Sequence, residues 1–127
     1  MVPVDQESPW DCVRASVASV LGLPLCAVPE LPEDDRQYDR LAEWLACHGL
    51  SLREVAPGTA RGYSLLSGVS PRLVRHSVVG RGGRVLFDPH RSRAGLILID
   101  RERVVERGPP MPARPSVRSR IESRRAR

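Results

Sequence analysis

An α+β domain, with two helices packed on an antiparallel sheet, is the fold class this chain predicts, and three observations predict it. Val13, Val17, Val20 and Leu21 recur at the spacing of one helix face, and Tyr38, Leu41, Trp44, Leu45 and His48 do so again. From Leu50 onward the period shortens to that of strands. The segments Val74 to Val79 and Val85 to Asp88, joined across a glycine-rich turn, then read as a hairpin. At 127 residues the chain is long enough for one domain with a single core.

The first helix is expected to begin within Ser8 to Asp11. Ser8 suits the cap, Pro9 the first helical position, and Asp11 the acidic partner three residues on; Asp11 could equally be the cap itself. Gly22, with Pro24 beyond it, stops this helix. The proline-interrupted stretch from Leu23 to Leu31 predicts a turn or a short helical piece. A second helix follows from about Gln37 to His48, closed by Gly49. Leu50 to Val55 alternates as a strand, Pro57-Gly58 breaks it, and Tyr63 to Leu66 is another short strand. Gly95 to Ile99 reads as a final apolar strand, central or covered, which Val104-Val105 extends after a turn at Asp100 to Arg103.

The charge is unevenly placed. Residues 1 to 107 hold 14 Arg against 14 acidic residues, whereas residues 108 to 127 hold 6 Arg against the lone acid Glu122. That division suggests a domain over 1-107 and a disordered Arg-rich tail over 108-127. The tail has no aromatic residue for stacking on bases, which favours a solubilising extension over a nucleic-acid binder. Three cysteines without regular spacing argue against a disulfide framework and for a reducing compartment. The N-terminus lacks a basic segment followed by an apolar run, and no apolar stretch approaches the ~20 residues of a membrane span, so the expected location is cytoplasmic, off the membrane.

The chemistry-bearing residues begin with Cys12, placed in the first turn of the first helix. Unpaired N-H groups and the positive end of the helix dipole favour a thiolate there, although Asp11 opposes it, so a cationic partner is needed. His76 fits that role. If the hairpin loop has an odd number of residues, such as Arg81-Gly82-Gly83, then 76 pairs with 88 and the two side chains share a face, roughly 5 Å apart at Cβ. A two-residue Gly82-Gly83 turn would instead pair 76 with 89 and send Asp88 to the other face unless a bulge corrects it; the odd loop is the expectation. Asp88 then holds one imidazole nitrogen and stabilises the imidazolium beside the Cys12 thiolate.

These residues resemble the papain-like cysteine peptidases, and within them the double-glycine leader peptidase branch. The resemblance rests on Gln6 ahead of Cys12, on Asp11-Cys12 opening a helix of small and branched residues, and on His76 followed by valines, a glycine turn and Asp88-Pro89. Val13 stands where the leader peptidases usually have glycine. The resemblance implies a papain-like fold with Cys12 as nucleophile, His76 as general base and then acid, Asp88 as its orienter, and Gln6 as an oxyanion donor beside the Cys12 N-H. It implies a peptide or protein substrate and no cofactor. The same apparatus serves peptide or isopeptide cleavage, deamidation or acyl transfer, and a papain-like binding module without turnover is the alternative.

The remaining candidates have plainer readings. Cys26 and Cys47 fill core or near-surface space, and Arg75 points to the face opposite His76 and is solvated. Cys47, His48 and His90 lack metal-ligand spacing, so no metal is expected, and His48 is placed to meet the last carbonyls of its helix. The glycines at 80, 82 and 83 form a hairpin turn and not a phosphate loop, because no lysine follows and the context is strand to strand.

Overall fold

The computed structural model describes residues 1–108; the Arg-rich tail lies outside them but for Gly108. Helix α1 spans Cys12–Leu21 and α2 spans Gln37–Cys47, with a short 3-10 turn at Leu25–Ala27 between them. Five strands follow: β1 Leu50–Val55, β2 Tyr63–Val69, β3 Arg75–Arg81, β4 Arg84–Phe87 and β5 Leu98–Arg107. They form one sheet in the order β1-β5-β2-β3-β4, and every pairing is antiparallel. The α+β class, with two helices on an antiparallel sheet, is therefore correct.

Helix α1 starts later than Ser8. Asp11 occupies the cap position without a side-chain cap bond, and the Ser8 hydroxyl is buried with no hydrogen-bond partner among the described residues, so the expected capping box does not form. At the other end Gly22 adopts the left-handed conformation (φ 68°) that closes the helix, as its position suggested. Six residues of α1 are buried, including Ser16 beside the valine stripe and Ala15 and Ser19 on the side away from it. Small side chains there allow close approach: the Ser19 hydroxyl meets the Val4 N–H at 2.9 Å, which straps the N-terminal segment along the helix. The valines meet Leu41 and Leu45 of α2, Val28 and Leu65 of β2 in the main core.

Two bulges shape the sheet, and each corrects an expectation. β3 and β4 are joined by the tight two-residue turn Gly82-Gly83, both at positive φ, and Arg81 pairs with Arg84; the odd loop does not occur. One pair further on the register shifts, so that Gly80 faces Val85 but Val79 faces Phe87, leaving Leu86 as the extra residue. That bulge restores Asp88 to the His76 face. The second bulge lies between β2 and β5, where Ser67 faces Arg101 and Gly68 faces Ile99. Asp100 is the extra residue, and what reads as a turn at Asp100 to Arg103 is a kink inside one long strand.

β5 is central, between β1 and β2, but it begins at Leu98, so residues 95 to 97 of the expected strand lie outside it. Gly68 is needed at this crossing, because a Cβ there would strike the Leu98 carbonyl. Glu102 of β5 is fully buried and accepts hydrogen bonds from the N–H groups of Thr59 and Ala60, each at 3.0 Å, and from the Ser64 hydroxyl at 2.7 Å. Those bonds fold the loop after β1 over the sheet. No helix among the described residues is long and apolar enough to cross a membrane.

Candidate active site

The placing of Cys12 begins with a strand that stops early. β4 pairs with β3 only as far as Val79, which leaves the neighbouring edge of β3 open from Arg75 to Val78. Helix α1 occupies that edge. In an antiparallel ladder the N–H and C=O of one residue point to the same side, and at Ser77 both point to α1. The Ser77 carbonyl accepts from the Ser16 hydroxyl at 3.4 Å, and the Ser77 N–H is directed at the Cys12 sulfur. The Ser77–Ser67 pair is thus of the close, non-hydrogen-bonded kind, and its two hydroxyls lie 2.8 Å apart.

The half-buried Cys12 sulfur meets opposing influences. Burial pushes the thiol above its ordinary pKa, while hydrogen bonds from the N–H groups of Ser77, Val13 and Cys12 itself, and from the Ser77 hydroxyl, pull it down without prevailing. The helix N-terminus alone does not offset the burial of the thiol, in keeping with the expected need for a cationic partner. Asp11 is only 7 % exposed, with Arg14 at 3.9 Å.

His76 and Asp88 do meet. Nε2 of His76 lies 2.6 Å from Oδ1 of Asp88, and both residues are at most 4 % exposed. Burial raises the Asp88 pKa, but the bonds from His76 and from the N–H groups of His90 and Gly95 outweigh it and hold the carboxyl below its usual range. An ionised Asp88 accepts from Nε2–H, so in the neutral ring Nδ1 is the free acceptor. His76 and Cys12 line one cleft of about 430 Å³, together with Ser77, Tyr38, Ser67, Gln37 and the arginines 75, 101 and 103. The groups that lower the thiol pKa are Ser77 and the helix start, and among the described residues no hydrogen bond joins the sulfur to the imidazole.

Gln6 lies on the other side of the histidine. It lines a second cleft with His76, His90 and Arg72, and Cys12 is absent from that lining. Its backbone N–H donates to the Pro89 carbonyl at 3.0 Å, which ties the N-terminal segment to the Asp88 loop. Its Nε2 donates to the Ser8 carbonyl at 3.0 Å, and its Oε1 is buried with no partner among the described residues. Of the four residues singled out from the sequence, His76 is thus bonded to Asp88, shares one cleft with Cys12, and shares another with Gln6.

Several neighbours were not singled out. Tyr38, assigned to a core stripe, puts its hydroxyl 3.1 Å from Ser67 and 3.3 Å from Ser77, closing a triangle of hydroxyls beside the sulfur. The Arg103 guanidinium stacks on the Tyr38 ring at 3.5 Å. Arg75 is exposed, as expected, yet it also borders the cleft and is clamped by Asp100 through two bonds of 2.7 Å. His90 accepts at Nδ1 from Arg72 and from the Ser92 N–H, both at 3.1 Å, and stands edge-on to His76. His48 packs its ring against Trp44, with centroids 4.9 Å apart. Serines at 67 and 77, beside the apolar runs Leu65-Leu66 and Val78-Val79, were the available sign that these strands face something polar. Compared with known protein families, curated proteins and solved structures, the chain matches none.

Proposed function

We propose that this chain is a thiol-dependent hydrolase with a papain-like arrangement of groups, cleaving a peptide or isopeptide bond through an acyl-enzyme. The observation that carries this reading is a buried imidazole with one nitrogen fixed by Asp88 at 2.6 Å, bordering the cleft that holds a cysteine at a helix N-terminus. In the reaction the Cys12 proton passes to Nδ1 of His76 as the sulfur attacks the substrate carbonyl carbon. The N–H groups of Cys12 and Val13, at the start of α1, are the nearest donors for the oxyanion; Gln6, expected from the sequence to share that task, lines the other cleft and donates its amide N–H to the Ser8 carbonyl. The imidazolium then protonates the leaving amine. A water molecule, deprotonated by His76, attacks the thioester, releasing the acid and returning the thiol. The three cysteines, all free, fit a reducing, cytoplasmic setting.

Labelling with iodoacetamide tests the reading: Cys12 is expected to react in a manner that depends on His76, and Cys12→Ala to abolish turnover of a peptide pool. Labelling of Cys12 that is unchanged in His76→Ala would sink it. A second reading, a papain-like binding module without turnover, is favoured by the sulfur's bonds to Ser77 and by its raised pKa. Under that reading Cys12→Ala binds its peptide as well as the native chain does, and no product forms. Deamidation or acyl transfer by the same groups would appear as a mass change of the partner without chain cleavage.

A further inference from the structure

The cleft beside Cys12 is walled by positive charge that the protein itself does not fully neutralise. Arg75 is matched by Asp100 through two bonds of 2.7 Å, and Arg101 by Glu54 at 2.8 Å. Arg103 has no such match. Its nearest acid is the same Glu54, at 3.9 Å and already engaged by Arg101, and its Nη1 is buried with no hydrogen-bond partner among the described residues. Its side chain is only 12 % exposed, and burial draws the guanidinium below its usual pKa. What holds it is the Tyr38 face, 3.5 Å from the guanidinium carbon. Tyr38 in turn bonds to Ser67 and Ser77, and Ser77 reaches the sulfur. The guanidinium is therefore set at a fixed place in the cleft, beyond the hydroxyl triangle from the nucleophile, with donor capacity unspent.

A buried cation whose one acid is shared and stands 3.9 Å away, and whose Nη1 has no hydrogen-bond partner among the described residues, is costly unless a further anion completes it, and guanidinium geometry matches a carboxylate. We propose that Arg103 is the specificity-determining residue of this cleft and that it takes a carboxylate of the substrate, carried close to the bond at Cys12. The carboxylate is either an acidic side chain or a free chain terminus. This rests on the reading of Cys12 as the reacting group, but its test does not require turnover.

The experiment compares alkylation by iodoacetate and by iodoacetamide, which transfer similar groups to sulfur and differ in charge. It is run on the full chain above pH 8, with each cysteine followed separately by mass spectrometry. The iodoacetate-to-iodoacetamide rate ratio at Cys12 is expected to exceed that at the exposed Cys26 and Cys47 by about tenfold, the scale of one charge-assisted contact. It should fall to their level in Arg103→Met and recover in part in Arg103→Lys, which keeps the charge and loses the planar stack. Protection of Cys12 from iodoacetamide then separates the two sources: N-acetyl-glutamate amide presents a side-chain carboxylate, N-acetyl-alanine a terminal one, and N-acetyl-glutamine amide neither. Protection by one of the acids and not by the amide supports the proposal. An equal ratio at all three cysteines, a ratio unmoved by Arg103→Met, or protection by neither acid overturns it. Failure of the hydrolase reading is seen elsewhere, in labelling of Cys12 by iodoacetamide that ignores His76.

Discussion

Cys12 and Asp88 show how burial and hydrogen bonding compete at single groups, with opposite results. At Cys12 burial wins, so the thiol is protonated near neutrality and the proton must move to His76 as substrate is attacked. Alkylation of Cys12 in the free protein is therefore expected to be slow at about pH 5 to 6 and to climb as the pH rises, with no plateau in that acidic range. An acidic plateau would reveal a standing thiolate–imidazolium pair and refute this. At Asp88 the hydrogen bonds win, and the folded state binds the proton less readily than the unfolded chain. Its stabilising contribution is thus complete above the ordinary carboxylate value of about 4 and is lost as pH falls through the lower folded value. Asp88→Ala should cost about 3 kcal/mol at neutral pH by urea unfolding, because it strands the buried imidazole N–H and two backbone N–H groups. Asp88→Asn should cost less and flatten the acid side of the stability curve; identical acid slopes in the two proteins would count against the assignment.

Among the elements, the hairpin and β5 decide what the sequence could and could not reveal. Helix spacing at Val13 and Val17, and at Leu41 and Leu45, identified both helices because burial on one face leaves a visible period. The association of His76 with Asp88 was also legible, but for the wrong loop. Gly82-Gly83 makes a two-residue turn, and only the extra residue Leu86 returns Asp88 to the right face. A bulge leaves no periodic mark, since it is one residue inserted where sheet twist demands it. Asp100 hid in the same way, and a kink in β5 read as a turn. Gly68 is the residue that lets β5 cross there, and its replacement tests the geometry. Gly68→Ala should destabilise by about 2 to 3 kcal/mol, since the added methyl meets backbone that cannot rotate away. Gly49→Ala, at φ 70° with open space around the position, should cost only about 1 kcal/mol, the strain of the left-handed conformation. Equal melting-temperature losses would mean that the β2–β5 crossing is looser than described.

Over the whole molecule, polar groups inside the fold were the least visible from sequence. Glu102 carries no periodic signal, yet it is fully buried and gathers three donors from two separate segments. Glu102→Gln keeps an acceptor for Thr59 and Ala60, and Ser64 is able to accept from the new amide, so a loss within about 1.5 kcal/mol is expected. Glu102→Ala leaves all three donors unpaired and should cost about 3 kcal/mol in urea unfolding, with faster backbone exchange at Thr59 and Ala60. If Ala and Gln behave alike, the carboxylate is not the anchor of that loop. The cleft arginines were illegible for a related reason: an alternating strand shows which face a residue takes, but not that Tyr38, distant in sequence, lies beneath Arg103.

The early end of β4 has one more consequence. A chain that zipped its hairpin two residue pairs further would set Pro89 opposite Ser77, and that rung would claim the Ser77 N–H that now faces the first helical turn. The sulfur's address is, in that sense, a vacancy in the weave. Lengthening the shortest strand would evict the nucleophile without altering any of the residues that perform the chemistry.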